Sequence, residues 1–331
     1  MIMSCYRCWC LGALAVVVVL SCAAGAATLK SRRFEGGEYV LVNDVAQYYG
    51  LGRNSSEDSE TARYRTSFAD LTLTADRREV TLNGVQHWLS APIYSSQGRL
   101  WISKTDVLKT IDPVLRQGRN AKPLSVRSIV LDPGHGGNDR GARGRAGIEK
   151  VLTLDIVRRL QDALEARGFR VWLTRSSDSF VPLEDRPELA AEKKADLFVS
   201  IHLNSGGIGA QGIETFCMPP AGAVSTATPF RGWRRSQEEG PERNNRYDES
   251  NVWLAHCVQR SLLRAVGAAD RGVRRARFVV LRDAPCPAIL VEAGFLSHPA
   301  EETKLLSASY RDQLANAIAE GILTYKAGVE R

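Results

Sequence analysis

The sequence has few cysteines outside its amino-terminal segment. Four of the seven fall within residues 1–22, which leaves only Cys217, Cys257 and Cys286 further along the chain. Because these three are odd in number and show no C-x-x-C spacing, they argue against a disulfide framework and against a thiolate zinc cluster. A single bridge among them stays open in an oxidising compartment, and the sequence does not choose the pair.

The surplus of one sign of charge is also small. The 44 basic and 37 acidic residues leave a net charge of +7 over 331 residues, a length that suggests about two domains. This small surplus suits acidic partners without choosing among them. The chain has neither a basic helix nor an aromatic platform, so we expect no nucleic-acid partner. Its hydrophobic content of 44% and charged content of 24% are typical of globular proteins and exclude a wholly disordered chain.

No apolar run is long enough to cross a bilayer, which takes about 20 residues. The run at 11–20 follows Arg7 and precedes a stretch of small residues, so we predict that residues 1–26 are a secretory signal peptide. The protein is then exported to the periplasm or cell envelope of a bacterium, without a transmembrane helix after cleavage. Two forms stay open: free secretion, or a lipoprotein whose acyl chain at Cys22 anchors it to the membrane.

Residues 28–116 are predicted to form a small α+β accessory module. Residues 71–74 and 80–82 alternate apolar and polar side chains around a turn, which predicts a β-hairpin. The module loosely resembles the domain found at the amino end of copper amine oxidases and of several bacterial wall enzymes. Its one histidine, His87, has no neighbouring metal donors in the sequence, so we expect it at the surface or in packing. Residues 117–126 are polar and are predicted to be a linker.

The second region, residues 127–327, alternates strands with helices. Apolar strand runs occupy residues 128–131, 169–173, 197–201 and 288–291, and helical periodicity occupies residues 151–167, 183–194, 251–266 and 310–325. This alternation predicts the α/β fold class, with a largely parallel sheet flanked by helices. The sequence therefore predicts a small α+β accessory domain followed by an α/β catalytic domain.

Three predicted strands are followed by residues that bind metals or move protons. His135 lies in a glycine-rich turn, and His202 and Glu292 each end a later strand. In an open α/β sheet, ligands bind beyond the carboxyl ends of the strands. Glu149, at the start of the next helix, is a fourth candidate, although its favourable position on the helix dipole explains it equally well when taken alone. Two imidazoles and one carboxylate with an open fourth position form the ligand set of catalytic zinc hydrolases.

Seven motifs, in this order, resemble the zinc-dependent N-acetylmuramoyl-L-alanine amidases. They are 129–137 (IVLDPGHGG), 139–144 (DRGARG), 149–150 (EK), 195–204 (ADLFVSIHLN), 212–215 (GIET), 270–273 (DRGV) and 287–297 (PAILVEAGFLS). In that family, the histidine of the G-H-G-G turn, the glutamate of the following helix and the histidine of the S-I-H strand bind zinc. They correspond to His135, Glu149 and His202, and the catalytic glutamate of the V-E-x-G-F strand corresponds to Glu292.

The resemblance implies a peptidoglycan hydrolase that cleaves the amide between N-acetylmuramic acid and the L-alanine of the stem peptide. Its Zn²⁺ would acidify a water molecule and polarise the carbonyl, and Glu292 would pass the water proton to the alanine nitrogen. Two alternatives stay open. Another zinc peptidase of the cell wall would share this metal chemistry, and a catalytically silent wall-binding regulator would have no need of the intact ligand set. Whether a protein activator is required also stays open.

Residues 218–248 form an insertion rich in Pro, Gly, Ser and Arg. It is either a solvated loop or a lid over the zinc cleft, since some relatives gate this site with an inserted segment. His256 lies on a predicted helix, and His298 stands where the family commonly has asparagine. Neither has the convergent donors of a metal site, so we expect that neither binds metal.

Overall fold

The computed structural model describes residues 29–330 except 30, 35, 53–59, 123–124, 208, 228, 231 and 233–239. The predicted signal peptide and Cys22 lie outside the described residues, so both remain predictions. In the described part of the chain, no helix is both long enough and apolar enough to span a membrane.

The amino-terminal part consists of short strands and helices. Its strands are β1 (Ser31–Phe34), β2 (Gly37–Leu41), β3 (Thr61–Arg65), β4 (Asp70–Thr74), β5 (Glu79–Leu82), β6 (Val85–Trp88), β7 (Tyr94–Ser96) and β8 (Arg99–Ser103). Its helices are α1 (Val42–Tyr48), α2 (Lys104–Asp106) and α3 (Asp112–Leu115), and a π-helical turn, Val107–Ile111, joins α2 to α3. The predicted hairpin is confirmed, because β4 and β5 pair in antiparallel register.

The remaining part of the chain alternates strands and helices as expected. Its strands are β9 (Ser128–Pro133), β10 (Arg170–Leu173), β11 (Leu197–Asn204), β12 (Ile213–Cys217), β13 (Asp270–Arg275) and β14 (Ala288–Phe295). Its helices are α4 (Glu149–Glu165), α5 (Asp185–Glu192), α6 (Asp248–Val266), α7 (Val279–Arg282), α8 (Pro299–Leu306) and α9 (Ala308–Val329), and a 3-10 helix, Arg243–Tyr247, precedes α6. The predicted α/β fold class is confirmed.

Ten strands form one sheet in the order β10-β9-β11-β14-β12-β13-β6-β5-β4-β3. The first four strands in this order are mutually parallel, whereas β12 runs antiparallel to β14. A separate sheet has the order β1-β2-β8-β7. Because β9, β11 and β14 are parallel neighbours, their carboxyl ends meet at one edge of the sheet, where the predicted site residues lie.

The central strands are continuous apolar runs because helices cover both faces of the sheet. Ile129 and Leu131 of β9 belong to a core that includes residues of α4, α6 and α9. Val130, between them, points to the opposite face and packs with residues of α5 and α7. Successive strand residues therefore face two different cores, as the pleat requires.

Strand β6 joins three other amino-terminal strands, β3, β4 and β5, to the sheet of the second region. It pairs with β13 in parallel at one position, His87 with Val273. The indole Nε1 of Trp88 donates a hydrogen bond to the carbonyl of Arg271 at 3.0 Å, and the amide of Gln86 donates to Asp270 at 2.7 Å. The predicted accessory module thus contributes strands to the same sheet that carries the candidate site.

The segment predicted as a linker also packs against helices, as far as it is described. The amide of Lys122 donates to the hydroxyl of Ser250 on α6 at 2.7 Å. The amide of Val126 donates to the carboxylate of Glu330, just after α9, at 2.8 Å. These contacts attach Lys122 and Val126 to the body of the second region.

The insertion at 218–248 is described only in part, and its described ends are packed. The side chain of Asn244 is fully buried and donates to the carbonyls of Ala284 and Cys286 at 3.0 and 2.8 Å. Phe230 packs against an aromatic cluster around Tyr39 and Trp101. Residues 233–239 lie outside the described part, so the solvated loop and the lid both remain predictions.

The three cysteines beyond the amino-terminal segment are unpaired. Cys217, Cys257 and Cys286 are all buried and form no disulfide. Burial raises the pKa of each thiol above its ordinary value, so these side chains behave as small apolar groups.

Two buried histidines connect β6 to α6. The Nε2 atom of His87 and the Nδ1 atom of His256 lie 2.9 Å apart in a hydrogen bond, and neither side chain is exposed. Burial, helped by the charge of Arg275, lowers the pKa of His87 to about 3. Burial also lowers the pKa of His256 well below its ordinary value. Both rings are therefore neutral in the folded protein, and His87 serves packing rather than the surface.

This pair predicts a loss of stability in acid. The unfolded chain protonates both histidines near pH 6.5, whereas the folded chain does not, so the free energy of unfolding should fall as the pH drops below that value. Each histidine contributes a slope of up to about 1.4 kcal/mol per pH unit. Urea denaturation of the wild type and of a His87→Gln/His256→Gln variant, between about pH 7 and pH 4, measures the difference. Equal slopes in the two proteins would contradict this account.

Candidate metal centre and active site

The turn after β9 presents His135 at the edge of the sheet. His135 adopts a left-handed backbone conformation with φ of 61°, which is uncommon for residues other than glycine, although histidine adopts it more often than most. A side chain at Gly134 would place its Cβ 2.3 Å from Cε1 of His202. Glycine at 134 therefore lets the turn approach β11 closely enough to bring the two histidines together, with ring centroids 5.0 Å apart.

Glu149 lies at the first position of α4 and is 3% exposed. Its Oε1 atom is 2.9 Å from Nδ1 of His202 and 3.1 Å from Nε2 of His135. The same oxygen accepts the amide of Leu203 at 3.0 Å. Its Oε2 atom accepts the amide of Ala142 at 2.6 Å, so both oxygens of the carboxylate are fixed.

The donor set suits a metal ion. One ligand atom from each of His135, Glu149 and His202 lies within 4.8 Å of the others, and no other group of this kind is found among the described residues. Ligand atoms bound to zinc at tetrahedral angles are separated by about 3.3 Å, close to the two distances from Glu149 Oε1 to the histidine nitrogens. The structure therefore brings together the three residues predicted as ligands.

Asp139 orients the His135 ring from its other side. Its Oδ2 atom lies 2.8 Å from His135 Nδ1, an arrangement that metal-binding histidines commonly show. Burial opposes a charge on His135, but the hydrogen bonds and charges of Glu149 and Asp139 outweigh it and raise the pKa of His135. Burial likewise opposes the charge of Glu149, yet the two histidines lower the pKa of that carboxyl far below its usual range.

Glu292 lies beside this group without belonging to it. It occupies β14 at the position paired with His202 of β11, and Glu214 of β12 is its partner on the other side. Its Oε2 atom is buried and has no hydrogen-bond partner among the described residues. Burial, together with the charges of Glu149 and Glu214, raises the pKa of Glu292 to about 7. Such a carboxyl is suited to exchanging a proton near neutral pH.

Two buried arginines support the His135 turn, and sequence reasoning missed both. Arg186 donates from Nη1 to Asp132 at 2.8 Å and from Nη2 to the carbonyl of His135 at 3.1 Å. Arg175 donates from Nη2 to the carbonyl of Gly134 at 2.7 Å. The sequence did contain a signal for the pair of Arg186 and Asp132. An acid at the end of a buried strand, such as Asp132, requires a buried partner.

A cleft of about 570 Å³ opens over these residues. His135, His202 and Glu292 line its floor. Phe180 and Phe278 form part of its walls and are 57% and 39% exposed. Exposed apolar side chains grouped around a polar floor are typical of a ligand-binding site.

The other two histidines of this region do not face the cleft. His256 is paired with His87, as described above, and His298 caps α8 by accepting the amide of Glu301. Neither belongs to the group of side chains that could hold a metal ion, as far as the chain is described.

The fold and the site are those of an α/β protein with a candidate metal centre beyond the carboxyl ends of its strands, and comparison with known proteins identifies its family. Residues 129–324 match the family described as N-acetylmuramoyl-L-alanine amidase. The N-acetylmuramoyl-L-alanine amidase AmiA of Escherichia coli (strain K12) is 32% identical over 285 residues, which cover 78% of this chain and 95% of that protein.

Solved structures similar to this chain are also amidases. The crystal structure of an N-acetylmuramoyl-L-alanine amidase from Clostridium difficile 630 is 36% identical, with a TM-score of 0.51, and covers 61% of this chain and 97% of that one. The CwlD amidase from Clostridioides difficile, solved in complex with the GerS lipoprotein, is 29% identical, with a TM-score of 0.50, over 61% of this chain and 98% of that one.

The chain therefore belongs to the N-acetylmuramoyl-L-alanine amidase family. It is a hydrolase that acts on an amide bond, with peptidoglycan as its substrate. The expected family is confirmed, and the matched region lies within the predicted catalytic domain.

The Arg186–Asp132 pair predicts a large loss of stability on truncation. Both side chains are almost completely buried, so Arg186→Ala leaves the buried carboxylate of Asp132 without its ionic partner and should lower the free energy of unfolding by about 3–5 kcal/mol. Arg167 pairs with Glu320 at the surface, and Arg167→Ala should lower it by at most about 1 kcal/mol. Urea unfolding of both variants tests this, and similar losses in the two would contradict it.

Proposed function

We propose that His135, Glu149 and His202 hold a zinc ion in this amidase and that Glu292 is its general base. The observation that carries the proposal is the convergence of two imidazole nitrogens on one carboxylate oxygen, at 2.9 and 3.1 Å. Four features support the fit: the donor types, their separations, the orienting Asp139 and the buried, unpartnered Oε2 of Glu292. The bond cleaved joins N-acetylmuramic acid to the L-alanine of the stem peptide.

Zinc, when bound, supplies a Lewis acid that polarises the scissile carbonyl and acidifies water. The residues of this chain do the rest. Glu292 takes the proton of the attacking water on its Oε2 atom, which faces no competing hydrogen-bond donor among the described residues. It then returns that proton to the departing alanine nitrogen, which leaves as an amine. Asp139 holds the His135 ring in one orientation throughout.

The apolar walls of the cleft favour one orientation of the substrate. The glycan on one side of the scissile amide carries hydroxyl groups, whereas the lactyl and alanine groups at the amide carry methyl groups. We propose that these methyl groups and the stem peptide lie against Phe180 and Phe278. Burial of such groups contributes about 0.8 kcal/mol for each methylene-sized unit.

We also propose that the enzyme is exported and that its chain is divided into an accessory module and a catalytic domain. A signal peptide at residues 1–26 would deliver the enzyme to the cell envelope, either free or anchored at Cys22. The domain division is 28–116 for the accessory module, 117–126 for the connecting segment and 127–327 for the catalytic domain. The likeness of the module to the copper amine oxidase amino-terminal domain stays part of the proposal.

A protein activator is also proposed, because the related CwlD amidase was solved with a lipoprotein partner.

Substitutions of Glu149 and Glu292 should have different effects on the zinc content of the protein. Glu292→Gln keeps the volume of the side chain but cannot take up a proton, so hydrolysis of peptidoglycan should fall by about 10²–10⁴-fold while zinc content stays unchanged. Glu149→Gln should lose zinc first and activity as a consequence, because a neutral amide is a poor ligand. Zinc stoichiometry and hydrolysis of sacculi are measured side by side on the purified variants. Loss of zinc from Glu292→Gln with full zinc and activity in Glu149→Gln would reverse the two assignments.

The cleft wall should affect substrate binding more than chemistry. Phe278→Ser removes an apolar surface from the cleft and should raise KM for a soluble muropeptide about tenfold, with kcat little changed. Phe68→Ser is the matched control, since Phe68 is 60% exposed and does not line this cleft. Steady-state kinetics of the two variants decide the matter, and an unchanged KM in Phe278→Ser would reject this orientation of the substrate.

A further inference from the structure

The metal-facing carboxylate of Glu149 is held by a small hairpin formed by residues 142–149. Arg143 and Ile148 pair as an isolated antiparallel bridge, and the amide of Gly144 donates to the carbonyl of Gly147 at 3.1 Å. At the open end, the Glu149 amide donates to the Ala142 carbonyl at 2.9 Å. The Ala142 amide in turn donates to Glu149 Oε2. The direction in which Oε1 points therefore depends on the shape of this hairpin.

The tip of the hairpin is bound by Glu302 of α8. Glu302 Oε1 accepts the amides of Ala146 and Gly147 at 2.7 and 2.9 Å, and the side chain is 5% exposed. These backbone hydrogen bonds lower the pKa of Glu302. A Cβ at Gly144 would lie 2.3 Å from the same oxygen, so the hairpin is closely fitted around this carboxylate.

Helix α8 is itself fixed to the strand that carries Glu292. The neighbouring acid, Glu301, accepts the amide of Phe295 on β14 at 2.7 Å and the amide of Gly212, just before β12, at 2.8 Å. One short helix thus connects the segment that places Glu149 to the strand that places Glu292. Because each link is a hydrogen bond to backbone, the spacing of the two segments does not depend on exposed side chains.

We propose that Glu302 is a positioning residue for the metal ligand Glu149 and acts through the hairpin at 142–149. This inference rests on the proposed function, in which Glu149 binds zinc. Without the Glu302 carboxylate, the amides of Ala146 and Gly147 lose their acceptor and the hairpin tip rearranges. Glu149 then keeps its helix but loses its fixed orientation, and zinc affinity falls.

The chain offers a matched control for a purely structural role. Asp196 Oδ2 accepts two consecutive backbone amides, those of Arg127 and Ser128, at 2.8 and 2.9 Å. It does so at the amino end of β9, the opposite end from His135. Loss of Asp196 removes two hydrogen bonds from backbone amides, as loss of Glu302 does, together with one from the Ser128 hydroxyl, but away from the metal ligands.

The test is the zinc dissociation constant of the full-length protein, measured by competition with a chromophoric chelator. Glu302→Ala should raise Kd about tenfold or more, the size of effect seen when a residue behind a metal ligand is removed. Glu302→Gln retains an oxygen acceptor and should restore Kd to within about threefold of the wild type. Asp196→Ala should lower the unfolding midpoint and leave Kd unchanged. Glu302→Asp shortens the side chain by one methylene group and should also raise Kd. This variant replaces Glu302→Ala in the test if the alanine variant does not fold.

The outcomes separate this inference from the proposed function. The positioning role is overturned if the zinc Kd of Glu302→Ala equals that of the wild type; if that variant does not fold, the same holds for Glu302→Asp. It is also overturned if the Kd of Asp196→Ala rises as much as that of Glu302→Ala. A Glu302→Gln variant as weak as Glu302→Ala also overturns it. Glu149→Gln is measured alongside: a wild-type Kd there overturns the ligand set itself, and this inference with it.

Discussion

The structure depends on one buried carboxylate oxygen that faces two imidazoles. Oε1 of Glu149 lies about equally far from His135 Nε2 and His202 Nδ1, and a charge buried so deeply is stable only with such partners. The three side chains come from the turn after β9, the first residue of α4 and the end of β11. The rest of the architecture has to bring these three chain segments to one point.

Side-chain hydrogen bonds to the backbone, a hydrogen bond to one imidazole ring and strand pairing together achieve this. Arg175 and Arg186 donate to carbonyls of the turn that carries His135, and Asp139 holds the ring itself. The catalytic glutamate proposed here, Glu292, is placed by strand pairing with β11 and β12. A fixed frame of this kind orients reactive groups before the substrate binds, which lowers the free energy of reorganisation during the reaction.

The sequence predicted the elements that have local signals. Apolar runs predicted the central strands, helical periodicity predicted the long helices, and polar residues at strand ends predicted the site. It did not predict that β6 would join β13, because a single pairing, His87 with Val273, leaves no local pattern. Nor did it single out Arg186 or Glu302, because their roles arise from partners 51 to 156 residues away rather than from their neighbours in the chain.

The activity assigned to this protein is cleavage of the amide between N-acetylmuramic acid and L-alanine. It is tested by mass spectrometry of the products released when the purified protein digests intact sacculi. We expect stem peptides with a free alanine amino terminus and glycan strands whose muramic acid carries a free carboxyl group. Peptides cut between two amino acids, or glycan fragments with new reducing ends, would contradict it.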